Sequence, residues 1–167
     1  CLRRFLELAE QAGDAELSVY RESLVLMENY AKKHLLDRSR MLFVSGPDGE
    51  YNLASQVWMV LSGILTEEEQ HAVMRHAADE LLPETDLVTP YMCHHIAEAL
   101  FEAGLSDEAV ALMKDYWGAM IRLGADTYWE VFDPRDPDYS PYESPVVSSY
   151  CHAWGCTPIY LIRKYLR

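Results

Sequence analysis

The sequence predicts an all-α protein built of stacked helical hairpins. Three observations carry that reading. Apolar residues recur at spacings of three and four along most of the chain, the period of one helix face. Capping residues, prolines and glycines fall where such helices start and stop. And a helix–connector–helix unit occurs twice: "LTEEEQHAVMRHA" followed by "TPYMCHHIAEAL", and "LSDEAVALMKDYW" followed by "SSYCHAWGCTPIYL". Each unit is a polar-capped amphipathic helix, a connector, and a helix beginning near Tyr-(x)-Cys-His. Such repetition is the mark of hairpins stacked side by side.

Taken in order, Cys1-Leu-Arg-Arg-Phe reads as the tail of a helix. Asp14 is placed to cap a long helix reaching about Leu36, with Leu17, Tyr20, Leu24, Met27, Ala31 and Leu35 on one face. "SGPDGEYN" from Ser45 is a loop by its glycine and proline content. A short helix near Leu53–Leu65 is apolar on most sides, so it belongs in the interior. Thr66 and Glu69 have the spacing of a capping box for a helix running to about Leu82, before Pro83. Pro90 in a first turn and Gly104 at a stop bracket the next helix. Ser106 is placed to cap another, with Val110, Met113, Trp117, Met120 and Ile121 on one side. After "GADTYWEVFD" comes the long loop "PRDPDYSPYESPVV", whose aromatics suggest order against a surface or pocket. A last helix spans roughly Ser148–Tyr165, disturbed by Gly155 and Pro158. Little of the chain reads as strand.

With 167 residues, half of them hydrophobic, the chain has enough material for one domain with a real core. No apolar run is long enough to span a bilayer. The net charge of −13 opposes binding to phosphate backbones and to anionic membrane surfaces, so neither nucleic acid nor membrane is an expected partner. A neutral sugar meets no such objection. Four scattered cysteines without a C-x-x-C pair suit buried free thiols better than a disulfide framework. There is no initiator Met and no secretory signal, so the chain reads as part of a longer polypeptide, and any export signal would precede Cys1.

Chemistry concentrates late in the chain. "TYWE" sets Glu130 behind Tyr128 and Trp129. Sugar sites use aromatic faces for the apolar side of a pyranose and carboxylates for its hydroxyls; hydrolysis adds a second carboxyl. Neighbouring aromatics are placed to desolvate Glu130 and raise its pKa. The alternative is ordinary packing by Trp129 and Phe132 with Glu130 as a solvated acid. "SSYCHAWGC" puts His152 and Trp154 after the loop, as a sugar-binding pair or as core residues. A zinc set from Cys93, His94, His95, Cys151, His152 and Cys156 fails on spacing, because adjacent His94 and His95 should leave a helix on different sides. Asp133, Asp136 and Asp138 lack the glycine turn and terminal Glu of a calcium loop. No metal and no cofactor is implied.

Together, "GADTYWEVFD" and "SSYCHAWGCTPIYLIRKYL" resemble the end of the catalytic domain of bacterial α-L-rhamnosidase-like glycoside hydrolases. The matching residues are Gly124, Thr127, Trp129 and Glu130, then Ser148 or Ser149, Cys151, His152, Trp154 and Pro158. The resemblance implies an (α/α)6 toroid of six helical hairpins, of which this chain has room for about half, as a single C-terminal fragment. It implies inverting hydrolysis of terminal α-L-rhamnosides. Glu130 matches the general base and His152 a sugar contact, with Tyr128, Trp129 and Trp154 at the pocket. The general acid would lie upstream, leaving the isolated chain inactive. Cut faces of a toroid would expose apolar helix surface and favour self-association. A non-catalytic sugar-binding or helical-repeat interaction module is the competing reading.

Overall fold

Helices alternate with connections of two lengths, and that alternation sets the architecture. The computed structural model describes residues 1–14 and 16–167. The α-helices are α1 (Leu2–Gln11), α2 (Ser18–Tyr30), α3 (Leu53–Leu61), α4 (Glu67–His76), α5 (Pro90–Glu102), α6 (Ser106–Arg122) and α7 (Pro158–Tyr165). Short turns join α3 to α4 and α5 to α6, and each of these pairs packs as an antiparallel hairpin. Within that frame α5 packs against both α3 and α7, forming one layer, while α4 and α6 back it as a second. The long connections, 36–52, 82–89 and 123–157, therefore gather at the end opposite the short turns.

Local chemistry sets most boundaries. Asn52 caps α3 through its side chain, accepting from the Ser55 N–H at 2.8 Å. Thr66 and Glu69 form the reciprocal capping box of α4. Thr89 caps α5 ahead of Pro90, whose missing N–H costs nothing in a first turn. Gly104 ends α5 with φ +74, and the N–H of Leu105 reaches back to the Leu100 carbonyl at 2.8 Å, the Schellman pattern that favours glycine. The helices α2 and α4 both finish in a π-helical turn, at Ala31–Leu35 and Ala77–Leu81.

The main core lies between α3 and α5, where Val57, Val60, Ile96 and Leu100 meet Leu42, Phe43, Val73 and Leu161. Each such fully buried side chain contributes about 1.5–3 kcal/mol. A two-stranded antiparallel ribbon, β1 (Leu36–Asp37) and β2 (Leu42–Phe43), pairs Leu36 with Phe43. Its free edge is covered by Gln56, which is fully buried. The Gln56 Oε1 accepts from the Phe43 N–H at 2.6 Å, and its Nε2 donates to the Phe43 carbonyl at 2.8 Å. One amide side chain thus replaces a strand residue. A second cluster of Cys93, Tyr116, Trp117, Met120 and Phe132 seats the start of the last long connection on α5 and α6.

Several sequence expectations are corrected. The opening helix continues past Phe5 to Gln11. Asp14 accepts from the Glu16 N–H and closes a local turn, whereas α2 begins at Ser18; residue 15, the expected helix start, lies outside the described residues. The anticipated face of α2 is only partly covered: Leu17 and Ala31 are buried, but Met27 is exposed, and so is Tyr20 although the Phe5 ring of α1 meets it edge-on at 5.3 Å. Ser106 begins α6 without a side-chain cap. The buried face of α6 runs through Ala109, Leu112, Tyr116 and Met120, leaving Ile121 outside. Of the cysteines only Cys93 is buried; Cys1, Cys151 and Cys156 are exposed, and all four are free.

Candidate functional site

Gly124 ends α6 in the left-handed conformation, with φ +94. Its N–H donates to the Ile121 carbonyl and that of Ala125 to the Met120 carbonyl, both at 3.0 Å, which turns the chain sharply off the helix. The segment that follows does not pack as a helix. It runs antiparallel to residues 149–152. The Glu130 N–H donates to the Ser149 carbonyl and the His152 N–H to the Tyr128 carbonyl, each at 2.9 Å. The Thr127 hydroxyl donates to the Tyr150 carbonyl.

This pairing overturns the expected helix from Ser148. His152 is extended, Ala153–Gly155 form a single 3-10 turn, and α7 starts only at Pro158. Backbone groups that a helix would have used internally are committed to Tyr128–Glu130 instead. The two motifs, separated in sequence, are brought together as a unit.

Gly155 shows how tight that unit is. A Cβ there would lie 2.8 Å from Tyr128 Cβ and 2.9 Å from the Trp129 carbonyl oxygen. The Gly155 carbonyl in turn accepts from Trp117 Nε1 at 3.0 Å, tying the turn to α6. The Trp154 indole N–H donates to the Glu130 carbonyl at 2.8 Å, leaving the ring partly open at 37% exposure. Its ring lies 4.7 Å from that of His152 and 6.1 Å from that of Tyr91 at the start of α5. Trp129 is less available. Its ring meets Phe132 and Tyr150 edge-on, at 5.5 and 5.2 Å, so much of it serves packing.

The Glu130 carboxylate is gripped at both oxygens. Oε1 accepts from the Tyr142 hydroxyl at 2.8 Å and Oε2 from the Ser149 N–H at 3.0 Å. These bonds, the Ser149 N–H above all, and the nearby His152 hold its pKa below the ordinary glutamate value, against a smaller opposing effect of burial. The expected upward shift from aromatic desolvation is therefore reversed: donors outweigh burial. Such a group stays ionised at neutral pH, with both carboxylate oxygens held in place.

The Asp-rich loop has a structural task. Asp133 is buried and accepts from the Arg135 backbone N–H at 2.9 Å, from Nε at 3.1 Å and from Nη2 at 3.0 Å; Arg135 Nη2 also reaches Asp86 at 2.6 Å. Phe132 N–H donates to the Val88 carbonyl at 2.9 Å. The connections 82–89 and 123–157 are thereby stitched to one another. Sequence reasoning missed Tyr142, Ser149 and Tyr91 as neighbours of the site. The tyrosines of the long loop were the available signal for the first.

His94 and His95 do not part company as expected. Both approach Glu98, one turn further along α5: His94 Nε2 lies 3.7 Å and His95 Nδ1 3.9 Å from Glu98 Oε2. Adjacent residues meet because one uses the far and the other the near nitrogen of its ring. Elsewhere, a groove of about 460 Å³ runs between α1, α2 and α3, lined by Leu24, Met27, Trp58 and Ile64 among others, and does not reach Glu130.

No protein-family model and no curated protein matches this chain. Among solved structures, it is similar to a rhamnosidase from Klebsiella oxytoca with rhamnose bound, at 42% identity and a TM-score of 0.89. The similarity covers 100% of this chain and 32% of that one, so the chain spans about a third of that enzyme's length. In sequence and fold alike the chain is rhamnosidase-like from end to end, and its stacked hairpins are part of a helical toroid.

Proposed function

We propose that this chain forms the C-terminal half of the (α/α)6 catalytic domain of a glycoside hydrolase, and that the parent polypeptide hydrolyses terminal α-L-rhamnosides with inversion. The carrying observation is the similarity of every part of the chain to a rhamnosidase that holds rhamnose. Glu130 is the general base. Its anchored, ionised carboxylate would take a proton from the water that attacks the anomeric carbon. A base needs to be charged before the reaction, and the donors at Glu130 favour the charged form.

His152 and Trp154 are the sugar contacts. Trp154 offers a partly open aromatic face beside an imidazole, and its own N–H is already used to fix it to Glu130. Tyr128 and Trp129 shape the wall behind them. The general acid belongs to the rest of the parent, about 6.5–9.5 Å from Glu130 across the bond to be broken, as inversion requires. This chain by itself is then inactive.

The test pairs two experiments. In the parent polypeptide, Glu130→Gln should depress rhamnoside turnover strongly while leaving binding largely intact; unchanged turnover would reassign the base. In the isolated chain, ligand-observed NMR with L-rhamnose, L-fucose, D-glucose and D-glucuronate should give rhamnose-selective binding that is lost in His152→Ala. A second reading, a non-catalytic sugar-binding or helical-repeat interaction module, draws on the uncovered apolar face of α2. A parent that binds rhamnose without turnover, or a module that binds protein and no sugar, would favour it.

A further inference from the structure

We infer that His94, His95 and Glu98 form a binding site for a divalent transition-metal ion of the zinc class. Each of the three residues offers one ligand atom, and these atoms lie within 4.8 Å of one another. The approaches to Glu98 Oε2, 3.7 and 3.9 Å, are too long for hydrogen bonds. They are close to the spacing of about 3.3–3.5 Å between neighbouring ligands of a tetrahedral zinc ion, given metal–ligand bonds of about 2.0–2.2 Å. Small side-chain movements would close the difference.

A second observation points the same way. His95 Nδ1, one of the converging atoms, is buried and has no hydrogen-bond partner, and the same is true of His94 Nδ1 on its own ring. Buried ring nitrogens are ordinarily satisfied, because a polar atom taken out of water without a partner gains nothing in return. A cation between the rings and the carboxylate would give His95 its missing partner.

The surroundings prepare the ligands. Burial is the leading effect on both imidazoles and lowers their pKa, favouring the neutral form that carries a free lone pair. Lys164 Nζ donates to Glu98 Oε1 at 3.0 Å, and Tyr160 and Tyr165 direct their hydroxyls at the same oxygen from 3.3 and 3.5 Å. These donors occupy one carboxylate oxygen and orient the other towards the histidines, the outer-shell arrangement that fixes a ligating carboxylate. The positive charge of Lys164 opposes a second cation nearby, so the site should be selective for ions that bond strongly to imidazole rather than for calcium or magnesium. Three protein ligands leave a coordination position for water.

Cobalt(II) is the spectroscopic probe and zinc(II) the calorimetric one. Titration of the chain with Co2+ should give visible ligand-field absorption saturating at one equivalent. Zn2+ should bind with the same stoichiometry and displace it. His94→Gln, which leaves the Lys164 and Tyr165 ties intact, should weaken Zn2+ at least tenfold, and Glu98→Gln likewise. Variants at the exposed His34 and His76 should leave it unchanged. Absence of one-to-one binding, or binding that survives His94→Gln and Glu98→Gln in chains still folded by circular dichroism, would overturn the site. Those results would mark the cluster as ordinary packing of two neutral histidines beside a carboxylate held by Lys164.

Discussion

The Tyr142 hydroxyl donates to Glu130 Oε1 at 2.8 Å, reaching the carboxylate from a loop that lies twelve residues further along the chain. An exposed tyrosine thereby fixes the rotamer of the acid and biases its ionisation. The folded pKa of Glu130 is depressed, so the stability it contributes is complete above the ordinary glutamate pKa of about 4.3 and is lost as pH falls through the folded value. Tyr142→Phe should move the Glu130 midpoint upward, towards the ordinary value. Carbon-detected NMR titration of the glutamate carboxyls reads this directly. A midpoint that does not move would remove Tyr142 from the argument.

Trp154 carries two separable roles. Trp154→Phe keeps an aromatic face but loses the N–H that reaches the Glu130 carbonyl, a change worth about 1 kcal/mol. Trp154→Ala loses both. Sugar binding should fall modestly in the first and vanish in the second. Equal loss in the two variants would show that the anchor, not the ring face, governs binding.

Gly155→Ala should destabilise the chain by about 1–3 kcal/mol, since the new methyl group meets Tyr128 Cβ and the Trp129 backbone within 3 Å. The displacement should be local, shifting the amide resonances of Tyr128, Glu130 and His152 while α3 and α4 stay in place. Urea denaturation and heteronuclear NMR measure the two parts. Wild-type stability in the alanine variant would mean that the turn is loosely seated.

Gln56→Leu fits the available space but strands the Phe43 N–H and carbonyl. We expect a loss of about 2–6 kcal/mol, the sum for two buried unsatisfied groups, with hydrogen exchange at Phe43 accelerated. A neutral effect on the denaturation midpoint would indicate that water replaces the amide.

Exposed apolar side chains on α2 include Val25 and Leu26, 54% and 69% exposed, with Met27 at the edge of the groove against α1 and α3. Concentration-dependent self-association of the isolated chain is the expected outcome, reduced by Leu26→Glu. Sedimentation velocity distinguishes this from a monomer that persists at high concentration, which would count against an uncovered toroid face.

What the sequence disclosed were features written in neighbouring residues. The Thr66–Glu69 box, Pro90 in a first turn and the glycine stop at Gly104 each need only a few adjacent side chains, and each appears as read. The last segment misled because its competition is tertiary: Ser148–Trp154 has helical spacing but pairs with Tyr128–Glu130 through Ser149 and His152, across the long loop and beyond the reach of any local signal. The same limit explains Glu130. Its aromatic neighbours were visible, but the Ser149 N–H that controls its charge belongs to a remote part of the chain. His94 and His95 were separated by helix geometry alone, which counts Cβ directions and ignores that an imidazole offers nitrogens at two reaches.

The gathering of the long connections at one end, with short turns at the other, divides the molecule for anyone who would redesign it. Segments 36–52, 82–89 and 123–157 could be exchanged between relatives as a set, because the Arg135 fork to Asp86 and Asp133 makes two of them a single transplantable part. Grafting 123–157 without its partner would leave that guanidinium facing a foreign surface. The tight turns at 62–66 and 103–105, by contrast, lie away from those connections and serve the scaffold: Leu65, Ala103 and Leu105 are buried there, so the two ends of the molecule answer to different demands.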